Sequence, residues 1–221
     1  GGYPTVDGSR TRWRSLIRAD DLAQLTPHGV RALEAFGVET VIDLRWSEEV
    51  AAYPSPVSRD ARGIRSEQVS LLARTEDEWR RRARECPKEL WKPMVLDHAR
   101  EGIREVLSLI AAASSGPLVF HCVAGKDRTG LIAALLLALA DVVPEAIAFD
   151  YAQSTERLRD GYLRRYSHLD PDEILDALRC PEEGVHAMLA HLEKLGGIRV
   201  YMRLIGLTDE ETMGLRARLR E

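Results

Sequence analysis

With 221 residues, the chain is about one and a half times the ~150-residue size of a common domain, which favours one large domain over residues 1–221 rather than two. Hydrophobic residues at 45%, charged residues at 30%, and only 16 Gly and 10 Pro exclude a disordered or collagen-like chain. The 31 Lys and Arg against 35 Asp and Glu leave a net charge of -4, so a global basic footprint for nucleic acid is excluded and any anion site must be local.

In chain order, the first strong signal is Thr26-Pro27 ahead of Val30, Leu33 and Phe36, with Gly37 behind. This combination of an N-cap, a first-position proline and a C-terminal glycine around an apolar stripe predicts a helix. Val38 to Leu44 follows as a short, β-branched apolar run of the kind buried in a parallel sheet. Ser47 starts a short polar helix, a proline-containing loop runs through Tyr53-Pro54-Ser55-Pro56, and Ile64 to Leu72 reads as a further strand. Thr75-x-x-Glu78 is a capping box opening an Arg-rich helix that ends before Cys86-Pro87. From Glu89 to Ala113 the apolar residues Val95, Ile103, Val106, Leu107 and Ile110 recur at helical spacing, with Pro93 marking a bend and Gly116-Pro117 the stop.

Leu118-Val119-Phe120 is then a short buried strand, and Gly130 to Ala140 a strongly apolar helix. Its apolar run, Leu131 to Ala140, stops at Asp141, well short of the ~20 residues that cross a bilayer, so no membrane span is expected. From Pro144 onward everything reads as helical, punctuated by Asp170-Pro171, Gly196-Gly197 and Thr208-x-x-Glu211. Within it, Asp150 to Cys180 holds Tyr151, Tyr162 and Tyr166 among many charges, which fits a lid and solvated helix faces equally. The cysteines, Cys86, Cys122 and Cys180, are odd in number and at no metal-like spacing. Neither a disulfide framework nor a metal site is expected, and a reducing compartment fits best.

The turn between the last strand and the apolar helix reads His121-Cys122-Val123-Ala124-Gly125-Lys126-Asp127-Arg128-Thr129-Gly130. A cysteine and an arginine six positions apart, closed by Thr-Gly at a helix start, form a loop whose backbone N–H groups can surround a tetrahedral oxyanion. Val123 to Arg128 would thus bind phosphate, Arg128 as a bidentate fork and Lys126, one of only four lysines, as a further point charge. The same field stabilises a thiolate, making Cys122 a nucleophile at neutral pH, with Thr129 or His121 tuning it by hydrogen bonding. A buried His-Cys pair beside a solvated turn is the bland alternative. A chance match to H-C-x-x-G-x-x-R-[ST]-G should, however, occur in far fewer than ~1 in 10⁵ chains of this length. Asp97-His98 and the isolated His168, His186 and His191 read as surface or packing residues.

The segment is similar to the C-x5-R loop of the cysteine-dependent protein tyrosine and dual-specificity phosphatases, and its wording looks most like the bacterial subfamily of mycobacterial protein tyrosine phosphatase B. Gly1 to Thr5, Arg18 to Leu22 with Leu25-Thr26, Val41 to Arg45 with Glu48-Glu49, Asp150-Tyr151, and Tyr201 with Gly206 to Thr208 resemble the same subfamily in order. The subfamily usually carries an Asn-Phe-Arg-Asp-Leu-like segment before Gly-Gly-Tyr, so the resemblance implies an incomplete N-terminus, and with it either a cytoplasmic protein or one secreted without a visible signal. It further implies an α/β fold, a parallel sheet flanked by helices with the loop at a strand's carboxyl end. Hydrolysis would run in two steps through a phosphocysteine, without cofactor or metal, on phosphotyrosine, with phosphoserine and phosphothreonine as further possibilities. A lysine at 126 also resembles phosphoinositide 3-phosphatase loops, so phosphoinositides join phosphoproteins as expected partners. A rhodanese-like sulfurtransferase, whose loop is commonly one residue shorter, and a non-catalytic phosphate-binding module are the competing readings. Two aspartates compete as general acid. Asp127 lies inside the loop, where repulsion from thiolate and phosphate would keep it protonated, and the resemblance favours it. Asp43, ending the VIDL strand, is second; it could instead orient Arg128, pair with Arg45 or cap the helix near Ser47.

Overall fold

In the computed structural model, which describes residues 1–57, 63–72 and 76–220, the chain builds a four-stranded, all-parallel sheet of order β1-β4-β2-β3. The strands are β1 (Leu16–Ala19), β2 (Thr40–Asp43), β3 (Arg65–Gln68) and β4 (Leu118–His121). The two runs predicted to be buried, β2 and β4, are the central pair, and every residue in them is inaccessible. Side chains alternate between two apolar layers, as the strand period requires. Val41 and Val119 join Leu22, Val30, Val38, Val57 and Ile64 on one face, while Ile42, Leu118 and Phe120 point into the larger core on the other.

The edge strands differ from expectation. β1 has no counterpart among the predicted elements: its four residues are all half-buried, so no apolar and polar alternation marks it, and it exists by pairing with β4. β3 is shorter than Ile64 to Leu72. Val69 adds one bond to Asp43, after which Leu71 and Leu72 leave the ladder to fill the core.

Helix α1 (Pro27–Phe36) is capped as its sequence indicates, with Thr26 Oγ1 accepting from Gly29 N and Gly37 left-handed at φ 82°. After α2 (Ser47–Ala52) and β3 comes α3 (Glu76–Glu85), whose expected cap, Thr75, lies outside the described residues. The predicted helix from Glu89 to Ala113 is two helices, α4 (Trp91–His98) and α5 (Arg100–Ala112). The break falls at Ala99, where φ is -118° and ψ 27°, and not at Pro93. Pro93 sits in the first turn of α4, where the N–H it lacks would have no intrahelical partner.

Helix α6 (Asp127–Leu139) starts three residues before the predicted Gly130 and is apolar on every side; all of its residues except Asp127 and Ala138 are buried. The remainder is helical as expected: α7 (Pro144–Arg165), α8 (Pro171–Leu178), α9 (Glu183–Lys194), α10 (Ile198–Leu204) and α11 (Asp209–Leu219). Among the described residues, no helix is long and apolar enough to cross a membrane.

Candidate active site

The carboxyl end of β4 and the amino end of α6 are joined by five residues, Cys122 to Lys126, and the sharpness of that connection depends on Gly125. Its φ is +60°, and a Cβ there would lie 2.3 Å from the Ala19 carbonyl oxygen at the end of β1. A side chain is therefore excluded by both conformation and space. Arg18, also on β1, secures the same point from behind. One of its nitrogens donates to the Gly125 carbonyl and to Ser154 Oγ, both at 2.7 Å, and the other to the Asp150 carboxylate at 2.7 Å. His121, fully buried, donates from Nδ1 to the Cys122 carbonyl at 3.1 Å; burial pushes its pKa down, partly countered by Asp43. These contacts shape the backbone around Cys122, which is only 2% exposed, at the floor of the loop. The first-turn amides of α6 have no carbonyl partners within the helix and, with the helix dipole, make this end suited to an anion.

Arg128 is already set in a fork. Its two terminal nitrogens donate to the two Glu49 carboxylate oxygens at 2.6 and 2.9 Å, and its guanidinium lies 4.6 Å from the Trp46 ring centre. Burial is the largest single influence and works against the charge, but the Glu49 hydrogen bonds together with the nearby charges of Cys122, Glu49 and Asp127 outweigh it and raise the pKa of Arg128, keeping it cationic. Glu49 is itself fixed, because Oε2 also accepts from the Trp46 N–H at the start of α2. Glu49 thus belongs to the candidate site, although in the sequence it stands out only as part of the Glu48-Glu49 pair following Val41 to Arg45.

The two candidate acids are in contrasting surroundings. Asp43 is engaged by Arg45: it accepts from Arg45 Nη2 at 2.7 Å, from Nε at 2.9 and 3.0 Å and from the Arg45 N–H at 3.0 Å, and its side chain is 8% exposed. Of the three structural roles open to it, the Arg45 pair is therefore the one observed, while Arg128 is oriented by Glu49. Asp127 has a side chain 48% exposed; Oδ1 accepts from the Tyr151 hydroxyl at 3.2 Å, and Oδ2 lies 3.6 Å from Lys126 Nζ. Lys126 also donates to the Ala177 carbonyl in α8 at 2.7 Å. Thr129 is fully buried, and its hydroxyl has no hydrogen-bond partner among the described residues.

The loop is covered on one side and open on another. Ala124 packs against an apolar cluster of Leu158, Ile174 and Leu178, joined by the half-buried Tyr162 of α7 and Tyr166 just past its end. Next to Lys126, Asp127 and Arg128 is a cavity of about 320 Å³ walled by Trp46, Trp79 and Trp91. The histidines stand apart from it: His191 and Arg100 meet Asp97 in an ion-pair cluster, and His168 packs near Tyr166. Among the described residues, no group of His, Cys, Asp and Glu is arranged to hold a metal.

Comparison with known proteins adds a second line of observation. A family model described as the tyrosine phosphatase family matches residues 1–221. A tyrosine-protein phosphatase of Nostoc commune is 34% identical over 221 residues, covering 93% of this chain and 74% of that protein. The triple specificity protein phosphatase PtpB of Mycobacterium tuberculosis is 25% identical over 170 residues, covering 64% of this chain and 61% of that protein. The crystal structure of P. aeruginosa TpbA aligns at a TM-score of 0.39 and 19% identity, covering 75% of this chain and 87% of the other.

Proposed function

The chain belongs to the tyrosine phosphatase family, and from that premise we propose that Cys122 removes phosphate from phosphotyrosine through a phosphocysteine, with Asp127 as the general acid. The observation that carries this reading is the meeting, at one helix start, of the Cys122 thiol, a preset Arg128 fork and a half-exposed Asp127 carboxyl group beside an open groove. In the first step the Cys122 sulfur bonds to phosphorus as the ester P–O bond breaks, and Asp127 gives its proton to the leaving oxygen. Charge on the equatorial oxygens is met by the loop amides and by Arg128. In the second step water attacks phosphorus, its proton passes to the Asp127 carboxylate, and the S–P bond breaks to restore the thiolate and release phosphate. Asp43 ranks second as acid, because its carboxylate is bound on both oxygens by Arg45 and would have to exchange that partner for a substrate.

Phosphoinositides, along with phosphoserine and phosphothreonine, are the wider substrates we propose. Lys88, Lys126 and Arg179 border the groove, and Asp176 lies 2.9 Å from Lys88 and 3.8 Å from Arg179. Two cations sharing one carboxylate leave positive charge beside the loop for a second phosphate or an acidic neighbour. The loop wording and the likeness to the mycobacterial enzyme support placing the chain in that subfamily. Cys122→Ser tests the core of the reading. Phosphate release from a phosphotyrosine peptide should vanish while vanadate still binds, because the amides and Arg128 remain; turnover that survives the change would overturn it.

A further inference from the structure

Asp127 has a neighbour that the reaction as described does not use. Tyr151, on α7, is 4% exposed and donates its hydroxyl to Asp127 Oδ1 at 3.2 Å. Its ring edge lies against Gly130 of α6, where a Cβ would come within 2.7 Å of the ring carbons. On the same ring sits Lys92 of α4, its ammonium 3.3 Å from the ring centre and the residue only 2% exposed. Burying a lysine is costly, and an aromatic face is one of the few surfaces that recovers part of that cost. Three helices thus converge on one phenol, whose only polar atom bonds the carboxyl group at the loop. Burial, followed by the Asp127 charge, raises the Tyr151 pKa, so the hydroxyl remains a donor.

We propose that Tyr151, held by Lys92 beneath its ring, is a positioning residue for Asp127, fixing Oδ1 so that Oδ2 faces the groove and carries the proton for the leaving oxygen. This rests on Asp127 being the acid. A phenol suits both steps. Oδ1 can accept from it when Asp127 is a neutral acid with the proton on Oδ2, and equally when Asp127 is a carboxylate awaiting the proton of water. The hydrogen bond therefore fixes which oxygen works without imposing a protonation state, and the rotamer is held before substrate arrives.

The test is a series of aryl phosphates with increasingly basic leaving phenols, assayed by phosphate release with wild type, Asp127→Asn, Tyr151→Phe and the double variant. Tyr151→Phe keeps the ring and its lysine contact. It should cost about 10-fold for the poorest leaving groups and under about 2-fold for the best, the graded pattern expected when proton donation is impaired. The double variant should be no slower than Asp127→Asn alone, because the hydroxyl acts through that carboxyl group. Uniform slowing by Tyr151→Phe across the series, or losses that multiply in the double variant, would overturn the positioning role. If Asp127→Asn itself shows no leaving-group dependence, the acid assignment fails and the proposal falls with it; if it does and Tyr151→Phe does not, only the proposal falls. Lys92→Met gives a second reading of the same pattern through a looser ring, and its absence there would remove lysine from the arrangement.

Discussion

The carboxyl ends of β2 and β4 lie side by side, with Asp43 in register with His121, and each is followed within seven residues by an aspartate or arginine pairing opportunity, yet they end in opposite electrostatic states. At the β2 end the main pair is local: Asp43 and Arg45, two residues apart, hold one another, and Arg45 also reaches the Tyr53 carbonyl and Asp21. At the β4 end the charges are held by other elements, Arg128 by Glu49 of α2 and Asp127 by Tyr151 of α7, leaving the helix start free for a ligand. A carboxylate closed on its own arginine stabilises a fold. Asp127, half-exposed and bonded to the Tyr151 hydroxyl with Lys126 at 3.6 Å, is open to the groove, as the proposed acid must be.

The contrast can be broken or sharpened by substitution. The largest effect should come from Arg128→Ala, which on the proposed mechanism weakens both oxyanion stabilisation and phosphate binding and leaves only the loop amides; kcat should fall by at least about 10³, with a raised KM in steady-state assays. Asp127→Asn should cost on the order of 10² to 10⁴ in kcat for a poor leaving group and far less for an activated aryl phosphate. Asp43→Asn should instead show its loss in denaturant unfolding, by about 3 to 5 kcal/mol, because Arg45 is left buried without its main partner. A leaving-group dependence in Asp43→Asn and not in Asp127→Asn would reverse the two. Glu49→Gln should lower kcat by about 10-fold, through a less fixed guanidinium, with Cys122 alkylation unaltered.

The smallest effect is on pH. Burial pushes Lys92 down from 10.5 to about 7, so between those values the unfolded chain holds more protons than the folded one. Stability should therefore rise with pH through that window, the strain of a buried charge being fully present below about pH 7. Thermal unfolding of Lys92→Met at pH 6 and pH 9 should show a flatter response than wild type.

Much of the site could be read in the sequence because it is local. Ten consecutive residues from His121 to Gly130 contain the proposed nucleophile, the fork, the end of one flanking element, the start of the other and the favoured acid. What was missed depends on distance along the chain. Glu49 and Arg128 are 79 positions apart, and Tyr151 and Asp127 are 24, so no periodicity encodes either contact. β1 has no signature in the sequence because its pairing partner lies about a hundred residues on and its half-buried side chains carry no strand pattern. The bend lies at Ala99 and not at Pro93, and the sequence points to Pro93 because a proline in a first helical turn carries the same letter as one that breaks a helix.

The all-round burial of α6 has a consequence for how the protein ages and fails. The loop is mounted between a central strand and a helix buried on every side, and displacing that helix would expose Leu131, Leu135 and Leu139 of the main core, the kind of residues expected to open last. Heating should therefore abolish phosphate release and unfold the core over one and the same temperature range. Backbone amides in the interior of α6 should exchange with solvent only through global unfolding, whereas the unpaired amides of the loop and of the first turn should exchange without it.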